Sequence, residues 1–167
     1  IHFEPAAFLA NPFRWLKAIS DFRAQMTGGP DFSYALCVER ISAEQRRSLD
    51  LSSLNIAVNG AERIRHETLT RFLDTFAECG LRPEAMTPAY GLAESVLYVA
   101  ASRRPAGAAP TSLALNRQAL GEGRVVAATP RDAGTLMAVA VGTDRHAQHE
   151  TLIVAVDSST EQSPGHI

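Results

Sequence analysis

Apolar residues recur at helical spacing through Phe13, Leu16, Ile19 and Phe22, with Trp15 beside them. Arg14, Lys17, Asp21 and Gln25 fall largely on other faces. This predicts a helix opened by Pro12, preceded by a short helical turn over 5–9 with Pro5 at a tolerated first position. Gly28-Gly29-Pro30 is expected to end the first long helix and begin a loop. Phe32, Leu36 and Ile41 then suit a helix entered from Asp31 as N-cap. A charged connector follows, and residues 54–58 read as the first strand. Leu69, Phe72, Leu73 and Phe76 mark the buried face of a helix within 65–78, closed by Gly80. Residues 85–87 read as the next strand. The strand–helix–strand order predicts parallel pairing with a right-handed crossover.

After residue 102 the pattern changes. Residues 103–110 are rich in Pro, Ala and Gly and read as a linker. Strand-like runs follow at 112–115, 125–128, 135–141 and 151–156, separated by glycine- and proline-bearing turns. The expected architecture is α/β: a parallel-type sheet flanked by helices over 1–102, and a small β-rich subdomain over 111–167 leaning on it.

Composition narrows the function classes. The chain has 167 residues and a formal net charge of −2, with 46% hydrophobic and 20% charged residues. That suffices for a real core, and the near-neutral balance gives no electrostatic footprint for nucleic acid. No apolar run approaches the roughly 18 residues of a membrane helix, and no signal peptide is evident. Cys37 and Cys79 are isolated in apolar stretches and read as buried thiols of a cytoplasmic protein. His146, His149 and Glu150 form one loose cluster, read as a solvent-facing turn rather than a metal site. Ser20, Ser33 and Ser95 have no His or Asp at a recognisable triad spacing.

Two stretches carry candidate chemistry. Pro88-Ala89-Tyr90-Gly91-Leu92-Ala93-Glu94 lies between apolar runs and reads as strand, tight turn, strand. Tyr90 offers a flat apolar face for a nucleobase, and Glu94 offers hard oxygen ligands for Mg²⁺. The alternative is a core tyrosine and a solvated glutamate. Asn55-Ile56-Ala57-Val58-Asn59-Gly60-Ala61-Glu62 is a strand ending in a small polar turn, and ligands of α/β sheets bind at the carboxyl ends of strands.

With both stretches in view, the chain resembles the adenylate-forming, acyl-CoA synthetase-like superfamily, and within it the fatty-acyl-AMP ligases. Residues 12–20, 28–37 and 79–85 support the narrower likeness and occur in the family's order. The likeness is dense from Pro5 to about Ala101 and thin beyond. It implies an enzyme that activates fatty acids with ATP and Mg²⁺ as acyl-adenylates, then passes them to an acyl carrier protein or polyketide synthase. It also implies roles for particular residues. Tyr90 would stack on adenine, with Gly60, Ala61 and Glu62 lining the base. Gly91 and Leu92 would lie beside the adenylate phosphate and acyl carbonyl. Glu94 would hold Mg²⁺ and serve catalysis, while Phe32 and Tyr34 would wall the acyl channel. Phe32 and Tyr34 can equally be simple core aromatics, and Glu62 can serve the dipole of the helix that follows it.

The sequence also departs from the family pattern. Arg63 stands where proline is common, and Asp31 where these ligases usually have asparagine. A carboxylate at 31 would disfavour a bound acyl carboxylate unless Asp31 caps a helix instead. Val141-Gly142-Thr143 differs from the family's cysteine-glycine turn. The Ser/Thr/Gly-rich phosphate loop, the ribose-gripping aspartate and the domain bearing the catalytic lysine are not found. The expectation is an excised piece of a longer enzyme, inactive alone. It would rest against the remainder of that enzyme or self-associate through exposed sheet edges. A degenerate adenylation-like binding domain without catalysis is the alternative.

Overall fold

A computed structural model describes residues 4–93, 99–101, 105–144 and 151–154. The first helices form where the apolar spacing places them. Helix α1 spans Pro5–Ala10 with Pro5 in its first turn. Helix α2 spans Phe13–Asp21 and buries Trp15, Leu16 and Ile19. Phe22, counted above on the same apolar face, lies beyond the helix end and is 71% exposed.

The glycine pair does not begin a loop. Met26–Gly29 is strand β1, pairing in parallel with strand β2 (Ile56–Asn59). Close packing accounts for the glycines. A Cβ on Gly28 would lie 3.3 Å from the Cβ of Val58, and one on Gly29 would lie 2.6 Å from Ser33 Oγ. The Trp15 indole donates to Thr27 Oγ1 at 2.9 Å, tying α2 to β1.

Helix α3 (Asp31–Arg40) follows at once. Its buried face runs through Ser33, Tyr34 and Cys37, whereas Phe32 is exposed and Leu36 half-buried. The short helix α4 (Ala43–Arg46) is held by a capping box between Ser42 and Gln45. Helix α5 (His66–Phe76) buries Leu69, Phe72 and Phe76, as its spacing requires. A 3₁₀ turn, Ala77–Cys79, carries the chain to Gly80, which takes a left-handed φ of +82° that glycine adopts without strain.

Strand β3 (Met86–Tyr90) pairs in parallel with β2, so that Asn59 lies opposite Pro88. Strand β4 (Ala100–Ala101) pairs antiparallel with β3. The sheet order is β1-β2-β3-β4. The reversal after β3 is longer than a tight turn, because Tyr90 is opposite Ala100. The expected strand over 95–98 lies outside the described residues.

Tyr34 anchors the core. Its ring meets Phe72 edge-on at 4.9 Å and Trp15 at 5.3 Å, and Phe72 in turn packs against Phe76 with the rings tilted. Leu16, Leu51, Leu54 and Met86 complete the interior.

The remaining strands form an antiparallel sheet: β5 (Ser112–Asn116), β6 (Thr135–Asp144) and β7 (Thr151–Val154), in the order β5-β6-β7. The strand expected at 125–128 is reduced to a single bridge, Leu115 to Ala127. Helix α6 (Arg117–Gly121), which the sequence pattern did not suggest, starts from an Asn116 cap instead. Strand β6 lies against β3 and β4, and Val139 joins the core of the first sheet. His66 Nδ1 meets Ser112 Oγ at 2.9 Å, tying α5 to β5, and Gly107 N donates to Glu84 at 3.0 Å, tying the loop before β5 to the turn before β3.

Candidate nucleotide-binding edge

Parallel pairing of β1, β2 and β3 brings their carboxyl ends to one edge of the sheet. Each strand delivers candidate residues there. Phe32 follows β1 in the first turn of α3, Gly60-Ala61-Glu62 follows β2, and Tyr90-Gly91-Leu92 ends β3 and continues from it. In open α/β sheets this edge is where ligands bind.

The edge is tight at its centre. Gly60 is buried, and a Cβ there would lie 2.8 Å from the carbonyl oxygen of Ala89. The loop after β2 and the end of β3 therefore meet backbone to backbone, and no larger residue fits between them. Gly60 N also donates to Gly29 O at 3.4 Å, joining the loop to β1. Ala61 has φ +67°, a left-handed conformation uncommon for a residue with a Cβ.

Glu62 is exposed, and its carboxylate accepts from Phe32 N at 2.6 Å. It serves the N-terminus of α3, which precedes it in sequence, and not the helix that follows. A carboxylate among the free N–H groups of a helix start is favoured by the helix dipole. Phe32 and Tyr90 each leave a substantial part of the ring open, 45% and 42% exposed. Leu92 is half-buried and Gly91 exposed.

Tyr34 lies elsewhere. It has no exposed surface, and its hydroxyl donates to Val58 O at 2.7 Å. Burial, with Cys37 and Asp31 nearby, raises its pKa far above the usual phenol value, so the hydroxyl remains a donor. Burial pushes the Cys37 thiol up to about 12. Both groups belong to the packed face of α3 and stay uncharged.

Asp31 is not the N-cap of its own helix. It is fully buried in the first turn of α3, while Pro30 holds the cap position. Its Oδ1 accepts from Asn59 Nδ2 at 3.0 Å and from Arg65 N at 3.2 Å. Its Oδ2 accepts from Thr68 Oγ1 at 2.9 Å and from the Arg65 guanidinium at 3.3 Å. The carboxylate thus sits at the start of α5. The sequence pattern carried no sign of this cluster, since its members are 28 to 37 positions apart from Asp31.

Glu94 lies outside the described residues, as do His146, His149 and Glu150. Among the described residues no group of three or more His, Cys, Asp or Glu could hold a metal ion. Among the described residues no helix is long and apolar enough to cross a membrane.

No family model matches the chain. Curated proteins do. A medium-chain fatty-acid–[acyl-carrier-protein] ligase of Teredinibacter turnerae is 41% identical over 128 residues, 77% of this chain and 20% of that protein. A probable long-chain fatty-acid–AMP ligase of Mycobacterium tuberculosis is 34% identical over 166 residues, 98% of this chain and 28% of that protein. The crystal structure of a fatty acyl-adenylate ligase from Legionella pneumophila, in complex with acyl adenylate and pyrophosphate, superposes with a TM-score of 0.76 at 40% identity. It covers 84% of this chain and 24% of the ligase.

This chain is related to one segment of the fatty-acyl-AMP ligases. Its fold is that of part of an adenylation domain, in keeping with the α/β architecture and the resemblance read from the sequence. The chain spans only about a fifth to somewhat over a quarter of the length of these ligases.

Proposed function

We propose that the chain works as part of a longer fatty-acyl-AMP ligase of the cytoplasm, supplying the adenine side of the site and part of the acyl channel. The observation that carries this reading is the shared sheet edge. Strands β1, β2 and β3 deliver Phe32, the Gly60-Ala61-Glu62 loop and Tyr90-Gly91-Leu92 to it, in a fold shared with a ligase solved with acyl adenylate.

In this reading the exposed Tyr90 ring stacks on adenine, and the backbone of residues 60–62 lines the base edge. Gly91 and Leu92 lie beside the α-phosphate and acyl carbonyl. Phe32 offers its open face to the acyl chain. Tyr34 contributes from behind, by holding Val58 and so the end of β2. Glu94 is the proposed Mg²⁺ ligand, and the ion would spread phosphate charge when bound. A fatty-acid carboxylate oxygen attacks the α-phosphorus, the bond to pyrophosphate breaks, and acyl-AMP forms. A carrier-protein thiol then takes the acyl group and releases AMP, which fits the acceptor in the name of the Teredinibacter relative.

The test is fatty-acid-dependent exchange of labelled pyrophosphate into ATP by the full-length protein that carries this chain. Exchange that requires a fatty acid supports ligase function. A folded full-length protein that binds acyl-adenylate analogues without exchange would favour a binding domain that has lost catalysis.

A further inference from the structure

The loop over 60–64 is bracketed by a single buried group. Asn59 precedes it and Arg65 follows it, and both donate to the same oxygen of Asp31, at 3.0 and 3.2 Å. At mid-loop, Glu62 accepts from the N–H of Phe32, the residue next to Asp31, at 2.6 Å. The other Asp31 oxygen holds Thr68, inside α5, at 2.9 Å. One side chain therefore ties the start of α3, the end of β2 and the start of α5. The loop it brackets carries a left-handed alanine and has little internal structure to hold it.

We propose that Asp31 is a positioning residue: its buried carboxylate sets the shape of the 60–64 loop, and through it the backbone that lines the nucleotide base. The inference rests on the ligase reading for the base, but the hold on the loop can be measured without it.

The chemistry separates two oxygens with two tasks. Oδ1 shapes the loop, because it takes the donors at both loop ends. Oδ2 faces the Thr68 hydroxyl, which can donate or accept, and a guanidinium that is 56% exposed and can turn to water. An asparagine at 31 keeps the first oxygen and replaces the second with an amide that can donate to Thr68. It loses only the ion pair with Arg65. An alanine loses every bond and leaves Asn59 Nδ2 buried without a partner. Among the described residues Asn59 Oδ1 already has none, so the alanine variant would strand the whole amide.

The experiment uses the full-length protein with Asp31→Asn, Asp31→Ala and a core control, Phe76→Leu, at the end of α5 remote from the loop. KM for ATP, KM for fatty acid and kcat are measured beside melting temperature and amide hydrogen exchange over 60–65. Asp31→Ala is expected to raise KM for ATP by about tenfold or more, with less change in KM for fatty acid. Its amides over 61–65 should exchange faster. Asp31→Asn should remain within about threefold of the wild type in KM for ATP.

The proposal is overturned if Asp31→Ala leaves loop exchange unchanged. It is also overturned if Phe76→Leu, at an equal loss of melting temperature, raises KM for ATP as much. If the wild-type protein forms no acyl-adenylate, the ligase reading fails, and the exchange data alone decide whether Asp31 holds the loop. Should Asp31→Ala fail to fold, Asp31→Asn decides: a KM for ATP raised tenfold or more would refute the division of labour between the two oxygens.

Discussion

Replacing Gly60 by alanine tests the closest contact of the proposed site. The new Cβ would lie 2.8 Å from the carbonyl oxygen of Ala89, and 3.6 and 3.7 Å from that residue's carbonyl carbon and Cβ. Ordinary contact begins near 3.4 Å, so the strand ends must part by about 0.6 Å. The obstacle is backbone in a paired strand, held by the register of Asn59 with Pro88, and it cannot swing aside as a side chain would. Overpacking of this kind costs about 1–3 kcal/mol. For a chain of this size that lowers the melting temperature by roughly 2–12 °C. Gly121 is the control. It ends α6, nothing lies within 4 Å of its added Cβ, and alanine suits a helix better than glycine. Gly121→Ala should leave stability unchanged or slightly higher. The assay is thermal unfolding by circular dichroism for both variants, with affinity for a non-hydrolysable acyl-adenylate analogue measured on the full-length protein. Gly60→Ala should lose tenfold or more in affinity, since small misplacements at a positioned site are expensive (about 100-fold for 1 Å). A Gly60→Ala protein with wild-type melting and wild-type affinity would refute the claim that this contact shapes the edge.

Two further predictions concern α3. Tyr34→Phe keeps the ring packing and removes only the bond to Val58 O, so it should cost about 0.5–1.5 kcal/mol in urea unfolding. A larger loss would mean that the ring itself moves. Cys37 carries a pH prediction. Its folded pKa is raised from 9.0 to about 12, so its contribution is complete below pH 9 and is lost as pH climbs towards 12. Between pH 9 and 10, stability should fall by up to about 1.4 kcal/mol per pH unit for this group. Unfolding of Cys37→Ala over the same range should show a shallower slope, the remainder coming from Cys79 and Tyr34, whose pKa values burial also raises. An unchanged slope would refute the assignment.

The helices were legible where one apolar face decides them. Leu69, Phe72 and Phe76 fix α5, and Trp15, Leu16 and Ile19 fix α2. The sequence failed where tertiary contacts override local preference. Gly28 and Gly29 look like loop residues, yet they form β1 by pairing with β2, with Val58 and Ser33 packed close against them. On α3 the eye follows Phe32 and Leu36, but the buried face runs through Tyr34 and Cys37, where the Tyr34 hydroxyl donates to the Val58 carbonyl on β2. The likeness to ligases could be read from the order of short motifs. The Asp31 cluster could not, because it joins residues from α3, β2 and α5 whose meeting only the folded sheet reveals.

We propose the carboxyl edge of β1–β3 as an adenylate site with Tyr90 as its platform. Calorimetric titration of a non-hydrolysable acyl-adenylate analogue into the full-length protein, wild type beside Tyr90→Ala, tests this. Loss of base stacking on an aromatic ring costs about 1–3 kcal/mol, so Tyr90→Ala should weaken binding by roughly 5- to 150-fold while its melting temperature stays near wild type. Equal affinity for both proteins, or no binding by a folded wild type, would contradict it.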